Sequence, residues 1–459
     1  MLTVTVLGAA ESVGKSCIMI SDRDRRIILD AGIQLHPRRT DQRSTPPAQL
    51  DDLSPDIDAV LVSHAHIDHS AYVPALYRWG YANDIHLTAP TKDIVKILWK
   101  DHLKIEGETH FSLRHLDHAL RNSVPHNYNR SFRLLDGISA EFYDASHILG
   151  SACILLDWDG TRIFYTGDIN DAKTPFHDPN FMNDSLEEPI DILITETTNA
   201  TRPLPSRKET TSKLTQKLLQ CYSRGGKAII PSFALGRSQE IQTYLIQEFD
   251  TFLDSYQLWI DGMILDINKI YRRYLTEKWV SKRLLSFLKA NGYKSPFDHE
   301  GIHKIDEILP TGGRNRKRAL LANQEKPIII LTTSGMIEGG PIYEYLGKFD
   351  LGSDPKNGLY IVGYQVEGTV GSDIIAGQRQ ILLNNGFGGL YNVNLELEVK
   401  RFQFSGHASQ GGLLEVVKYT NPTKILPIHG EPAAQQRYIE ALNSPDKIIP
   451  PYSVHPEYP

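Results

Sequence analysis

The chain has 459 residues, of which 41% are hydrophobic and 23% charged, which argues against long disordered regions and favours two globular domains. No stretch approaches the roughly 18 apolar residues of a membrane span, and the N-terminus lacks signal-peptide features, so we expect no membrane contact. The net charge of −6 argues against a protein that coats nucleic acid through a broad basic face. Three isolated cysteines (Cys17, Cys153 and Cys221) favour a reducing compartment, and we expect a cytoplasmic protein.

The order of predicted elements indicates one domain inserted into another. Alternating or apolar runs predict strands over residues 2–7, 26–29, 58–62, 140–143, 152–158, 162–165 and 190–194, with a long helical stretch over 91–121. Beyond about residue 201, short buried strands (227–231, 327–331 and 359–362) alternate with helices, as in an α/β domain with a mostly parallel sheet. We therefore predict a first domain over 1–200 that returns over 396–459, interrupted by a second domain over 201–395.

A histidine-rich motif, His64-Ala65-His66-Ile67-Asp68-His69, directly follows a predicted strand. Residues two apart in an extended chain point the same way, so His64 and His66 can converge on one ion. Asp68 and His69 fall where the chain turns into a helix and would point to a second ion. Imidazole and carboxylate ligands suit zinc, with manganese or iron as alternatives. A surface loop that is histidine-rich by chance is the competing interpretation, and the rarity of this spacing disfavours it.

Other candidate ligands lie at the ends of predicted strands, namely His147, Asp168 and His429. Taken singly, such a histidine is more often structural, and an aspartate after a glycine is usually a turn residue. Asp30, which ends another strand, could orient a ligand histidine without touching the metal.

The ordered set of Asp30, the histidine motif, His147 and Asp168 resembles the metallo-β-lactamase superfamily, whose fold is a four-layer αββα sandwich. The rest of the chain resembles the β-CASP branch of that superfamily, which includes RNase J and the endonuclease subunit of the cleavage and polyadenylation factor. The segments that carry this resemblance are PSFALGRSQE (231–240), TSGMIEGGP (333–341), VGYQVEGT (362–369), FSGHA (404–408) and PIHGE (427–431). The short segments before the first strand and after His429 are similar to the minimal archaeal and bacterial members.

The resemblance implies a site with two divalent ions, for which zinc is favoured and manganese is the alternative. One ion would be held by His64, His66 and His147, and the other by Asp68, His69 and His429, with Asp168 as the bridge. Asp68, Glu196 and His407 would be the catalytic residues, Glu196 holding His407 toward the substrate. Phosphates would be bound by backbone amides of two segments, Ser405-Gly406 and Ser334-Gly335; the competing interpretation of their glycines is turn geometry.

The implied function is that of a metal-dependent ribonuclease, in which two metal ions activate a water that hydrolyses the phosphodiester. The expected partner is single-stranded RNA, and a homodimer is an open alternative to a monomer. Cleavage would be mainly endonucleolytic, with 5′-to-3′ exonuclease activity as a further mode. A non-catalytic RNA-binding scaffold and a small-molecule metallo-hydrolase are the competing functions.

Two segments depart from the branch pattern, and two others invite a different interpretation. Thr197-Thr198-Asn199-Ala200 stands where Ser-Thr-Tyr-Gly is usual, and Val370-Gly371-Ser372 stands where Leu-Gly-Arg is common. Both changes leave the candidate metal ligands in place and concern the contacts with RNA.

The glycine-rich run over residues 8–16 has the wrong spacing for a nucleotide-binding loop, and we expect the basic run over 314–318 to be a solvated face.

Overall fold

Two six-stranded sheets build the first domain. The computed structural model describes residues 2–37, 44–179, 186, 188–201, 203–248, 250–309, 311–384 and 390–449. The first sheet has the spatial strand order Thr3–Gly8, Cys17–Ser21, Arg26–Leu29, Ala59–Leu61, Ile85–Thr88 and Ser123–His126. The second has the order Lys424–Ile428, Ile192–Glu196, Thr161–Tyr165, Ala152–Trp158, Ile138–Asp144 and Phe132–Leu135. The strand at 424–428 therefore returns the chain to the second sheet, where it pairs in parallel with 192–196.

Alternation along the strands explains why these sheets stack. In the strand Ala152–Trp158, Ile154 and Leu156 belong to a core shared with the first sheet, whereas Cys153 and Leu155 belong to a second core on the outer face. Helices cover both outer faces: Leu50–Leu53, Ile67–Ser70, Val73–Arg78, Ala89–Glu106 and Leu113–Arg121 precede the inserted segment, and Gln410–Thr420 and Pro432–Leu442 follow it. The predicted αββα sandwich is confirmed. The long helical stretch predicted over 91–121 is two helices, since the first ends at Gly107 with a φ of 65°.

A third sheet carries the inserted segment, and all of its strand pairs are parallel. Its spatial order is Ile302–Lys304, Leu258–Ile260, Ile329–Thr332, Ala228–Pro231, Gly358–Ile361 and Glu398–Arg401. The helices around it are Arg207–Ser223, Arg237–Glu248, Asp250–Leu253, Ile264–Arg273, Lys282–Ala290, Arg314–Ala322, Pro341–Tyr343 and Val370–Ile375. The predicted α/β character of this segment is confirmed, while the domain boundaries stay a prediction.

Short elements complete the fold. Two-stranded sheets pair Gln34–Leu35 with Ser44–Thr45 and Gln380–Asn384 with Leu390–Asn394. Short turns of helix occur at Ser54–Asp56, Ile305–Glu307, Glu344–Lys348, Leu351–Ser353 and Pro445–Lys447. The three cysteines are buried and unpaired, as predicted. Within the described ranges, no helix combines the length and apolar character that a membrane crossing needs.

Candidate metal centre

The histidine motif occupies the turn between a strand of the first sheet and the short helix Ile67–Ser70. The backbone of a neighbouring strand end holds this turn, since the amide of Ala31 donates to the carbonyl of His69 at 2.9 Å. Gly32 packs so closely that a Cβ there would lie 1.7 Å from the carbonyl oxygen of Asp68. The conformation of the motif is therefore fixed by contacts distant in sequence as well as by its own residues.

The first candidate ligand group joins His64, His66, His147 and Asp168. Both His64 Nε2 and His147 Nε2 lie 3.1 Å from His66 Nδ1. Asp168 Oδ2 lies 3.6 Å from His64 Nε2 and 3.7 Å from His147 Nε2. Three imidazole nitrogens and one carboxylate oxygen thus converge, as donors to a single cation do.

The second candidate group joins Asp68, His69 and His429. Asp68 Oδ2 lies 4.0 Å from His69 Nε2 and 3.6 Å from His429 Nε2. His429 comes from the far end of the chain, at the end of the strand Lys424–Ile428. The pairing of that strand with the second sheet brings this histidine beside a motif more than 350 residues away in sequence.

Asp168 lies between the two groups. Its Oδ1 lies 3.3 Å from His69 Nε2 and 3.2 Å from His429 Nδ1, whereas its Oδ2 faces the first group. Oδ1 is buried and accepts no hydrogen bond from the described residues. A buried carboxylate oxygen without a donor is costly unless a cation occupies the space beside it. This position suits a carboxylate that bridges two ions.

Hydrogen bonds at the far side of two imidazoles determine which nitrogen faces the site. Asp30 Oδ2 accepts from His69 Nδ1 at 2.7 Å, as expected for a residue that orients a ligand. The carbonyl of Gly406 can only accept, so its 2.7 Å contact with His147 Nδ1 places the proton on that nitrogen. In both residues Nε2 is the nitrogen that faces the site, as in metal-binding histidines whose other ring nitrogen donates to an acceptor.

The protonation states match a ligand set. Burial lowers the pKa of His64 and His147 well below the usual value and that of His66 to about 4, so these imidazoles are neutral at neutral pH. Burial alone would raise the pKa of Asp168, but the neighbouring histidines, His429 and His69 foremost, hold it well below the usual range. The first group therefore offers neutral nitrogen donors and an ionised carboxylate, whereas Asp168 and Asp30 raise the pKa of His69 well above the usual value despite its burial, so an ion that binds to His69 must displace a proton.

The backbone is strained around the centre. Asp30, Ser146 and His429 adopt left-handed conformations, with φ of 60°, 57° and 50°. Each such non-glycine residue costs on the order of 1–3 kcal/mol and persists only when surrounding structure enforces it. Residues of this kind cluster at functional sites: Asp30 orients a candidate ligand, Ser146 precedes one, and His429 is itself one.

A third group places His407 beside the centre. His407 Nδ1 lies 3.0 Å from Glu196 Oε2, and Glu196 Oε1 also accepts from the amide of Ile169 at 2.9 Å. Burial would lower the pKa of His407, but the negative charges of Glu196 and Asp168 raise it to about 9. The predicted pair is thus in contact, and the imidazole carries a proton at neutral pH in the metal-free protein.

An open cleft of about 370 Å³ lies over the centre. His66, Asp68, His147, Asp168 and His407 line it together with Ser405 and Gly406. Its opposite wall is formed by loops at the carboxyl ends of the parallel strands in the third sheet, where α/β sheets commonly bind ligands. Ser334 and Gly335 are not among its lining residues; the amide of Gln365 donates to the carbonyl of Gly335 at 2.8 Å. Their role in phosphate binding stays a prediction.

Two residues without a predicted role contact the loop that carries His407. The amide of Asn199 donates to Ser405 Oγ at 2.7 Å and to the carbonyl of His407 at 3.4 Å. The buried Arg237 side chain lines the cleft beside Gly406, where an added Cβ would lie 3.0 Å from Nη2. The sequence signal for Asn199 was its departure from the branch pattern, whereas Arg237 was part of a matched segment and had no individual signal.

Comparison with known proteins agrees with this geometry. Three family profiles match the chain: a beta-lactamase superfamily domain over residues 25–220, a Beta-Casp domain over 238–374 and a Zn-dependent metallo-hydrolase RNA specificity domain over 392–450. With the buried histidine and aspartate groups, these matches indicate divalent metal binding.

Named relatives align over nearly the whole chain. An RNase J-like protein of Methanocaldococcus jannaschii is 32% identical over 94% of this chain and 93% of its own length. Transcription termination factor FttA of the same organism is 31% identical over 94% of this chain and 67% of its own length. Integrator complex subunit 11 of Danio rerio is 29% identical over 99% and 72%, respectively.

A solved structure supports the fold alone. A protein of unknown function from Enterococcus faecalis V583 has a TM-score of 0.55 and 14% identity, covering 98% of this chain and 96% of that one. The three profile matches and the relatives indicate one family, with which the fold and the ligand geometry agree. The chain therefore belongs to the β-CASP ribonuclease branch of the metallo-β-lactamase superfamily.

Proposed function

We propose that this protein is a two-metal ribonuclease that hydrolyses phosphodiester bonds of single-stranded RNA. It would cleave mainly at internal bonds of the RNA and also from the 5′ end. The observation that carries the proposal is Asp168, a buried carboxylate set between two histidine groups at the floor of an open cleft. A scaffold protein needs no such arrangement, and a small-molecule hydrolase needs no third sheet above its metal centre.

The donor set fits two borderline divalent cations, and we assign zinc with manganese as the alternative. His64, His66 and His147 would hold one ion and Asp68, His69 and His429 the other, with Asp168 between them. The donors are nitrogen and oxygen only, because none of the three cysteines belongs to either group. The unsatisfied Oδ1 of Asp168 supports a cation beside it.

Bound ions would supply positive charge that neutralises the scissile phosphate and would lower the pKa of a water. The chain's own residues then position the substrate and move protons. His407 lies at the edge of the cleft with Nδ1 on Glu196, which leaves Nε2 to donate a proton to the leaving ribose oxygen. Glu196 holds the imidazole in this orientation and favours its protonated form.

RNA is the substrate class that the relatives support. The RNase J-like protein and a further relative from Methanocaldococcus jannaschii, a probable RNase that is 32% identical over 92% of this chain, are both named as ribonucleases. The cleft is bounded by the inserted domain, which leaves room for a strand to pass over the centre. We assign internal cleavage as the main mode because the cleft is open over the metal centre.

The test is cleavage of single-stranded RNA labelled at its 5′ end. We expect shortened labelled products with zinc or manganese, and intact RNA once a chelator is added. Matched RNAs with 5′ hydroxyl, monophosphate and triphosphate ends separate the modes, since internal cleavage is insensitive to the end. Asp68→Ala and His407→Ala should each abolish cleavage while the protein stays folded. Intact RNA with every divalent metal would contradict the proposal.

A further inference from the structure

The cleft over the metal centre is mostly apolar, although its proposed substrate is a polyanion. Among its described lining residues, the arginine and lysine side chains are limited to Arg237 and Arg401, and His407 adds a positive charge at the metal centre itself. Arg237 already forms an ion pair with Glu240. The arginine that is common after Gly371 in the branch is absent here, where Ser372 takes its place. The cleft lining thus offers few arginine or lysine side chains to contact phosphates.

The cleft, which has few arginine or lysine side chains, is lined by aromatic ones. Phe233, in the loop after the strand Ala228–Pro231, and Tyr364, in the loop after Gly358–Ile361, both line the cleft. Tyr364 is 49% exposed, and Phe233 is half-buried. Large exposed aromatic groups in a concave site commonly bind flat ligands through their ring faces.

Two glycines fix the position of the Phe233 ring. A Cβ at Gly363 would lie 2.9 Å from Cε2 of the ring, and a Cβ at Gly335 would lie 3.2 Å from Cδ2. Any larger residue at either position would push the ring aside. Close backbone packing at Cδ2 and Cε2 thus restricts the ring, which lines the cleft as a surface that costs little entropy to order on binding.

We propose that Phe233 is a stacking platform for one unpaired nucleobase of the RNA and sets the register of the strand over the metal centre. This inference rests on the proposed function and specifies how its substrate is held. Every base has a π-face, so stacking grips RNA without selecting a sequence, and only an unpaired base can reach the ring. Phe233 thus favours single-stranded RNA over paired RNA, and the chemistry remains with the metal centre.

The test removes single bases from the substrate. Cleavage is measured for a set of otherwise identical single-stranded RNAs, each with one abasic ribose at a successive position across the cleavage site. With the wild-type protein we expect one position at which the missing base raises KM about tenfold, because one base–aromatic stack is lost. At that position kcat should change by less than about twofold. A uniform response along the strand would overturn the proposal.

Variants connect that position to the ring. Phe233→Leu should raise KM about tenfold for the intact RNA and lose the additional abasic penalty, because the two changes remove the same contact. Phe233→Tyr keeps the ring and should restore both. Phe287→Leu, in a half-buried phenylalanine of the same domain that does not line the cleft, is the matched control and should behave as wild type. An abasic penalty that persists in Phe233→Leu would refute the assignment.

A second measurement needs neither a variant nor cleavage. RNA carrying 5-iodouridine, irradiated on the wild-type protein, crosslinks to aromatic rings on which the base stacks. We expect the modified peptide to contain Phe233, and crosslinks confined to other peptides would overturn the inference. Failure of RNA hydrolysis with crosslinking at Phe233 would instead contradict the proposed catalysis alone, so the two failures are distinguishable.

Discussion

Asp30 connects two strands of the first sheet to the metal centre, and replacing it with asparagine tests that connection. The side chain is fully buried. Oδ1 accepts from the amide of Ser63, and Oδ2 accepts from Ser63 Oγ, His69 Nδ1 and Tyr165 Oη, each at 2.7 Å. An asparagine amide has one acceptor oxygen, so at least one of these donors must face its NH2 group.

The size of the effect follows from that count. The orphaned donor and the NH2 group itself are each a buried unsatisfied polar group that costs about 1–3 kcal/mol. We therefore expect Asp30→Asn to lower the free energy of unfolding by about 2–6 kcal/mol. Because His69 loses the partner that fixes its tautomer, metal affinity should fall by about 10–100-fold.

Asp261 provides a matched control. It is also fully buried and accepts from Arg318 Nε at 2.6 Å and Tyr345 Oη at 3.0 Å, but it lies outside the metal centre. Asp261→Asn should lower the unfolding free energy and leave metal affinity unchanged. Urea denaturation of the metal-free proteins and zinc competition with a chromophoric chelator measure the two quantities. Equal metal affinities for Asp30→Asn and wild type, or an equal loss in Asp261→Asn, would refute the reasoning.

Three further predictions address the loop over the cleft. Gly406→Ala should weaken metal binding and cleavage, because its Cβ would lie 3.0 Å from an imidazole carbon of the first group; Gly411→Ala, with 3.7 Å to its nearest neighbour, should be tolerated. Asn199→Ala should lower kcat about tenfold at unchanged metal affinity, since it removes a hydrogen bond that positions the His407 loop. In metal-free protein, an NMR titration should give His407 a pKa near 9, and Glu196→Gln should lower it.

The pH dependence of stability has a defined sign. The folded-state pKa of His407, about 9, exceeds the ordinary 6.5. In the metal-free protein its contribution to stability is therefore fully present below about pH 6.5 and is lost as pH rises through about 9. A His407 pKa that Glu196→Gln leaves unchanged would contradict this account.

Equal cleavage by Gly406→Ala and the wild-type protein would contradict the prediction for Gly406. A loss of metal affinity in Asn199→Ala would contradict the prediction for Asn199.

Local sequence patterns predicted the part of the candidate site that residues close in sequence build. His64 and His66 face one way because they follow a strand, and two-residue spacing is visible in the sequence. His147, Asp168 and His429 each lie within three residues after the end of a strand, but their convergence depends on sheet pairing that no local pattern specifies. The residues alone suggested His147 and Asp168 as candidates, whereas the division of all three among two ions came from the family resemblance and stays a prediction.

Contacts between distant loops were beyond prediction. Asn199 was identified as a departure from the branch pattern, yet its bond to Ser405 depends on how two loops meet. Gly335 likewise lies outside the cleft lining, packed against Phe233, a contact between two loops that no local pattern specifies. Helix periodicity across residues 91–121 was correct, whereas the break at Gly107 required a left-handed residue that periodicity does not encode.

RNA cleavage by this protein should require two cations, which the ligand groups on either side of Asp168 would hold. The most direct test is single-turnover cleavage of a labelled single-stranded RNA by metal-free protein titrated with zinc and, in a parallel series, with manganese, with bound metal measured in the same samples. We predict negligible cleavage up to one bound ion and a rise that reaches its plateau at two. Full cleavage at one bound ion or none, or intact RNA at two bound ions of either zinc or manganese, would contradict the account.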